Sequence, residues 1–197
     1  MKRPDTYHHG NLRQALLEAA RVLIIEAGVE ALTLREVARR AGVTTGAPYH
    51  HFADKATLVA ALARQSLDEL DRIAGAALEG IGEPREQLRA LGLVYVLYAV
   101  DHPAEFRLMF RPDKGEPFES AEPEAEPVFR ILIRVVDACR AAAGITDDGR
   151  DAAAIAAWSL VHGLAALLID GPLAPLAADR ERLHALIFEV TNRLDVV

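Results

Sequence analysis

Residues 33–52 restrict the folds open to this chain more than any other segment does. Thr33, followed three residues later by Glu36, forms a capping-box pattern that starts a helix. Apolar residues at helical spacing then give this helix one face to bury, and Gly42 supplies the left-handed residue that ends it. The pattern predicts a short helix that turns sharply into a second one.

The second helix is predicted to be very short, with polar and aromatic residues on its exposed side. Thr44 or Thr45 can cap it, and Thr45 is favoured because Pro48 lacks an N–H group and is tolerated only in a first helical turn. Hydroxyl, imidazole and phenol groups suit phosphates and base edges, so this helix-turn-helix predicts DNA binding. The expected contact residues are Thr33, Arg35, Thr44, Thr45, Gly46, Tyr49, His50 and Lys55.

The block from Leu34 to Lys55 carries a family resemblance. Its centre runs Gly-Val-Thr-Thr-Gly-Ala-Pro-Tyr-His-His-Phe, and Asp54 precedes the lysine. This block resembles the tetracycline repressor (TetR) family of transcriptional regulators, and the likeness extends from Gly10 to about Ala63. The resemblance implies a homodimeric regulator, most often a repressor, that leaves a palindromic operator in double-stranded DNA when a small-molecule effector binds.

Two later stretches, residues 102–110 and 158–163, resemble the ligand-binding half of a TetR subgroup that has a Trp, His, Gly signature. Two domains are therefore expected. The predicted bounds are 1–54 for the DNA-binding domain, 55–197 for the effector-binding and dimerisation domain, and 55–78 for the helix that connects them.

Composition and helical periodicity predict an all-α fold of about nine helices. Residues with a preference for helices are abundant, and aromatic residues make up only 6% of the chain. Beyond the two helices of the helix-turn-helix, the predicted helices cover residues 11–27, 55–78, 85–100, 103–110, 126–143, 150–170 and 179–194. A Pro- and Glu-rich loop at 112–127 is interpreted either as a lid or a portal with a preference for cations or, more simply, as a solvated linker.

The charge distribution is uneven along the chain. The net charge is −7, yet residues 1–66 carry a balance of +3 and the remainder carries −10. Such a molecule can present its basic end to DNA while the acidic body opposes other orientations. Because an excess of three positive charges is modest, dimerisation is expected to double the footprint.

The stretch at residues 152–169 contains 18 residues without a formal charge, which is the minimum length for a membrane helix. It is dominated by alanine, includes Ser159 and His162, and is closely flanked by charges, so a membrane location is not expected. The N-terminus lacks the apolar core of a signal peptide, and Cys139 is the single cysteine. The chain is expected to be cytoplasmic.

A small-molecule cavity is expected in the C-terminal half, where aromatic residues and a methionine cluster among apolar helices. The candidate ligand-binding residues are Tyr95, Tyr98, Phe106, Met109, Phe110, Phe129, Trp158 and His162. Each of them can equally be an ordinary core residue. His162 can hydrogen-bond a ligand or a buried backbone carbonyl, and it can touch Trp158, which precedes it by four residues.

The last two predicted helices are expected to pair with their copies in a four-helix dimer interface, because a helix that is apolar nearly all round must be buried or shared. The expected interface residues are Ala153, Ala157, Leu160, Leu164, Ala166, Leu167, Leu183, Ile187 and Val190.

Other site types find little support in the sequence. Ser159, His162 and Asp170 lack the glycine-rich turn that a hydrolase would need, so no enzyme activity is expected. No metal site or cofactor is expected, since no Cys or acidic cluster accompanies the paired histidines. The alternative function is a helical small-molecule-binding or protein-interaction module with a vestigial helix-turn-helix.

Overall fold

In the computed structural model, which describes residues 12–110 and 127–193, the described residues form eight α-helices and no strand. The helices are α1 (Leu12–Ala27), α2 (Leu34–Arg40), α3 (Lys55–Ala77), α4 (Pro84–Asp101), α5 (Pro103–Met109), α6 (Pro127–Ala142), α7 (Arg150–Ile169) and α8 (Arg180–Thr191). The all-α prediction is confirmed. The predicted loop at 112–127 lies, except for Pro127, outside the described residues.

The capping box at Thr33 and the left-handed Gly42 act as the sequence predicts, and Asp54 forms a further cap. The Thr33 hydroxyl accepts a hydrogen bond from the backbone N–H of Glu36 at 3.1 Å and so caps α2. Gly42 has φ 70, the left-handed conformation that turns the chain after this helix. Asp54 caps α3 by accepting from the backbone N–H of Thr57 at 2.8 Å. These caps set the entry points of the two helices that carry the candidate DNA surface.

The second helix of the predicted pair is a single 3-10 turn, Ala47–His50, which explains why eight α-helices form instead of nine. Its N-cap position is Gly46, and no side chain caps it, so the prediction of Thr45 as the cap is wrong. The hydrogen bonds run from Ala47 N to Thr44 O at 3.0 Å and from Tyr49 N to Gly46 O at 3.2 Å. Both hydrogen bonds join residues that are three positions apart, which is the pattern of a 3-10 helix and not of an α-helix.

Helix α3 connects two packed regions. Its first half, with Leu58 and Leu62, joins α1 and α2 in the first core. Its second half contributes Leu67 and Leu70 to the second core, which α3 shares with α4, α5, α7 and α8. A neighbouring cluster joins α4, α6 and α7 around Val136. Because a single helix crosses both regions, a tilt of α3 would reach both of them.

Helix α7 is, within the described chain, the one helix long and apolar enough to span a bilayer, with a mean hydropathy of 2.0. Length and composition alone pass this test. One of its faces, including Ala154 and Leu164, is buried against α4, α6 and the second core. This packing supports the interpretation of α7 as a core helix whose other face remains uncovered.

Candidate DNA-binding surface and ligand cavity

The 3-10 turn exposes two side chains, and two buried residues, one within the turn and one just after it, lie beneath them. Tyr49 is 60% exposed and His50 is also exposed, whereas Pro48 is buried and Phe52 is 1% exposed. The backbone N–H groups of His51 and Phe52 both donate to the Pro48 carbonyl at 2.9 Å. The buried pair anchors the turn to the first core, so Tyr49 and His50 are held outward on a fixed support.

The arginines of α2 differ in how far their charge is neutralised. Arg39 is paired with Glu36 at 2.6 Å, and Arg40 pairs with Glu26 and, at 3.5 Å, with Glu36. The Arg39 hydrogen bond lowers the pKa of the Glu36 carboxyl. Arg35 is exposed and makes no ion pair with a residue that the structure describes. Its guanidinium is therefore available to an external anion.

The other predicted DNA-binding residues lie around this turn. Thr33, Thr44, Thr45 and Gly46 are exposed, and α2 contacts the 3-10 turn directly. Lys55 is half-buried, and its ammonium donates to the Glu30 carbonyl at 3.2 Å. A lysine in the first turn of α3 lies at the positive end of the helix dipole, and this hydrogen bond compensates for that unfavourable position. The sequence could not reveal the bond because its partners are 25 residues apart.

A cavity of about 720 Å³, including its opening to solvent, lies between α3, α4, α6 and α7, with Phe110 beside it. Its described wall consists of Leu67, Leu70, Ala74, Leu88, Leu91, Gly92, Val94, Tyr95, Phe110, Val128, Phe129, Leu132, Ala157, Trp158 and Val161.

Three aromatic side chains form a hydrogen-bonded set at this wall. The indole N–H of Trp158 donates to the Tyr95 hydroxyl oxygen at 3.0 Å, and that oxygen lies 2.8 Å from Nδ1 of His162. Burial raises the pKa of the Tyr95 hydroxyl, an effect that the Trp158 hydrogen bond opposes. Burial also lowers the pKa of His162. The tyrosine is therefore held as a neutral phenol, and the imidazole favours its neutral form.

Half of the predicted ligand-binding residues line the cavity. Tyr95, Phe110, Phe129 and Trp158 do so. The other four lie elsewhere in the core: Phe106 and Met109 are buried in the second core, the Tyr98 hydroxyl donates to the Ser66 carbonyl at 3.3 Å, and His162 lies behind Tyr95. The predicted contact between Trp158 and His162 is present, with ring centroids 5.6 Å apart.

The aliphatic part of the wall, which α3, α4, α6 and α7 supply, is not among the predicted ligand-binding residues. Leu70 and Leu91 are examples, and leucines in helices give no signal that separates a cavity wall from a packed core. The structure shows why residue 92 is a glycine. A Cβ at this position would lie 2.7 Å from Thr191 Cγ2 and 3.2 Å from Val161 Cγ1. A glycine is needed at this point for α4 to approach α7 and α8 closely.

The comparisons with known proteins decide the family. A family model described as "Tetracyclin repressor-like, C-terminal domain" matches residues 88–190, and a model described as "Bacterial regulatory proteins, tetR family" matches residues 16–62. The chain belongs to the TetR family. The finer resemblance to the Trp, His, Gly subgroup stays a prediction.

Relatives within the TetR family share parts of the sequence. The chain is similar to the HTH-type transcriptional regulator BetI of Rhizobium meliloti, with 33% identity over 129 residues, which is 61% of this chain and 57% of that protein. It is also similar to the HTH-type transcriptional repressor KstR2 of Mycobacterium tuberculosis, with 38% identity over 79 residues, or 40% of each chain. The matches thus span about half the length of these curated relatives.

A solved structure matches over almost the whole TetR-like fold. It is a protein of unknown function from Rhodococcus sp. RHA1, with 28% identity, a TM-score of 0.78, and coverage of 98% of this chain and 97% of the other. The TetR family regulator PfmR of Thermus thermophilus has the same fold, at 21% identity and a TM-score of 0.64 over 91% of this chain and 96% of the other.

The residues predicted for a dimer face on α7 and α8 differ in their exposure. Four of its predicted residues, Ala157, Leu164, Leu183 and Ile187, are buried in the protomer's own cores, so they have no surface to offer a partner. Because α7 is apolar nearly all round, its sequence does not show which side faces the core. Ala153 and Val190 are half-buried.

The remaining predicted face residues, Leu160, Ala166 and Leu167, are exposed. Two further large apolar side chains are exposed on the same two helices: Ile155 on α7 is 48% exposed, and Phe188 on α8 is 58% exposed. We call these five residues the α7–α8 face. Ile155 and Phe188 are not among the predicted interface residues.

Proposed function

We propose that this TetR-family chain is a homodimeric, sequence-specific DNA-binding transcriptional regulator, a repressor that a small-molecule effector releases from a palindromic operator. The observation that carries the proposal is the exposed pair Tyr49 and His50, held on a turn that buried Pro48 and Phe52 anchor. Tyr49 is 60% exposed on a rigid turn, and DNA contacts by its ring and hydroxyl would explain this exposure.

The charges around the turn suit a phosphate backbone. Arg35 supplies an unneutralised guanidinium, and Lys55 places its ammonium near the start of α3. Phosphate contacts fix orientation, while residues 45–50 of each subunit enter successive major grooves and read base edges. Two-fold symmetry of the protein then requires a palindrome or near-palindrome in the operator.

Dimerisation through the α7–α8 face supports this arrangement. The face exposes large apolar side chains, which soluble proteins bury against partners. Gly163 lies in the middle of α7, and a Cβ at this residue would meet nothing within 4 Å in the protomer. A mid-helix glycine costs about 1 kcal/mol relative to alanine, and a close approach by a partner helix gives it a reason.

Effector binding in the cavity has a short route to the DNA-binding surface. The cavity wall includes Leu67, Leu70 and Ala74 of α3, whose N-terminal end carries Lys55. Occupying the cavity would change the tilt of α3. This would change the spacing between the Ala47–His50 turns of the two subunits, which we call the reader turns.

We infer a cytoplasmic location and no catalytic role, in keeping with the regulators that the chain resembles. The carboxylate of Asp170, which a hydrolase reading would place near Ser159 and His162, is paired with Arg107 at 2.6 Å. The alternative, a helical binding module with a vestigial helix-turn-helix, predicts no specific affinity for duplex DNA.

Selection of genomic fragments separates the two functions. The full-length protein is incubated with sheared DNA of the source genome at moderate salt, and bound fragments are sequenced. Enrichment of a palindromic sequence is expected, with half-sites about one helical turn apart. Binding of folded dimer to all fragments without preference, or to none, would favour the alternative module.

A further inference from the structure

The cavity wall carries no formal charge among the residues that the structure describes. Its members are leucine, valine, alanine and glycine residues together with aromatic ones. An ionised group placed against this wall would lose hydration and gain no counter-charge, and burial of an unpaired charge is strongly unfavourable. The wall therefore selects against anions and cations.

The polar atoms at the wall are already engaged. The indole of Trp158 has one N–H, and it donates to the Tyr95 hydroxyl. The same hydroxyl is bonded to His162 at 2.8 Å. A phenol has one donor and two acceptor positions, so Tyr95 keeps one position for a further hydrogen bond. Among the wall residues that the structure describes, one polar group of a ligand can thus be satisfied.

We propose that the effector of this regulator is a small, formally neutral, mostly hydrocarbon molecule that binds among Leu70, Leu91, Phe129 and Leu132, with at most one hydroxyl or comparable polar group directed at Tyr95. Calling this molecule an effector rests on the proposed function, whereas its binding depends on the cavity alone.

Three probes with the same hydrocarbon chain test the charge selection: 1-octanol, octanoate and octyltrimethylammonium. Trp158 is the single tryptophan and lies in the cavity wall, so its fluorescence reports binding to the full-length protein. The expected result is that 1-octanol binds at least about tenfold more tightly than either ion, because only the ions must be desolvated without a partner.

A charge introduced into the wall should change this preference. Leu132→Lys places an ammonium at a half-buried wall position and should improve the affinity for octanoate relative to 1-octanol by about tenfold. The matched control is Ile133→Lys, which alters the next residue of α6, also half-buried but outside the wall. The control should keep the preference for 1-octanol.

Several outcomes would overturn the proposal. Binding of octanoate as tight as that of 1-octanol would do so. Equally tight binding of octyltrimethylammonium would also overturn it and would point to an aromatic cation site. Absence of fluorescence change with all three probes, or the same preference in Leu132→Lys and Ile133→Lys, would remove the probes from this cavity. Operator binding is measured separately without probe; its failure would overturn the proposed function and leave the ligand chemistry standing.

Discussion

Phe106 and Leu108 stand two residues apart on α5 yet pack into different cores. Phe106, 3% exposed, lies in the second core with its ring 5.5 Å from that of Tyr95. Leu108, 4% exposed, packs into the first core with α1 and the start of α3. Helix α5 therefore touches both the cavity region and the support of the DNA-binding turn. Together with α3, it forms a second connection between them.

Replacing Leu108 should weaken the coupling between cavity and DNA. Leu108→Ala is expected to lower the free energy of unfolding by about 2–5 kcal/mol and to reduce the effect of bound 1-octanol on operator affinity. The matched control is Leu23→Ala, also 4% exposed in the first core but on α1. It should cost similar stability and retain the coupling. Equal loss of coupling in both, with both variants verified as folded, would remove α5 from the connection.

The reader turn should lose affinity without losing its fold. Tyr49→Ala or His50→Ala is expected to cost about 1–3 kcal/mol in operator binding, because each removes a groove contact. Both side chains are exposed, so the helical circular dichroism and the thermal midpoint should stay unchanged. Ile25→Ala, which trims another exposed side chain of the same domain, is the control. Normal operator affinity in both reader variants would move the contact surface elsewhere.

Arg35 and Arg39 of α2 should differ in their contribution to the salt dependence of DNA binding. Arg35→Ala is expected to lower the magnitude of the slope of log K against log salt concentration by about 0.9 for each lost phosphate contact. Arg39→Ala should change it less, because the Arg39 charge is already offset by Glu36 at 2.6 Å. Binding measured at several salt concentrations checks this. A larger change for Arg39→Ala would reverse the assignment.

Much of the N-terminal domain follows from local chemistry. Caps at Thr33 and Asp54 and a left-handed Gly42 depend on a few neighbouring residues, and for that reason they can be recognised without a structure. The 3-10 geometry of Ala47–His50 is harder to predict because propensity does not distinguish one tight turn from a short α-helix. The resulting error concerned the cap and not the exposure of Tyr49.

The C-terminal domain is less predictable from sequence because its helices are apolar on several faces. Ala157 and Ala166 look alike in the sequence, yet one is 2% exposed in a core and the other lies on the surface. Orientation depends on how α7 packs against α4 and α6, which is a tertiary property. The same reason hides the cavity, since Leu70 and Leu91 would look identical in a filled core.

Stability should fall as the pH is lowered, in part because of His162. Burial lowers its pKa in the folded protein, so below its ordinary value of about 6.5 the unfolded chain binds a proton that the folded chain does not. Between the two pKa values, the free energy of unfolding should decrease as the pH falls, by less than the limit of about 1.4 kcal/mol per pH unit that applies to one proton. Urea unfolding between about pH 7 and pH 5 should show a shallower decrease for His162→Gln than for the wild type. The control His184→Gln alters an exposed histidine of α8 and should follow the wild type; identical curves for all three would contradict the effect.

Charged substitutions at Ala157 and Ala166 of α7 should separate folding from dimerisation. Ala166→Glu places a carboxylate on the exposed side of α7, so a folded monomer with weak operator affinity is expected, since an uncompensated charge in an apolar interface is strongly unfavourable. Ala157→Glu places the same charge in a core where the native residue is 2% exposed, and it should unfold the protein. Circular dichroism distinguishes the two outcomes because only the monomer keeps its helical signal, and sedimentation at micromolar concentration gives the oligomeric state. A dimeric Ala166→Glu protein with normal operator affinity would place the partner on another surface.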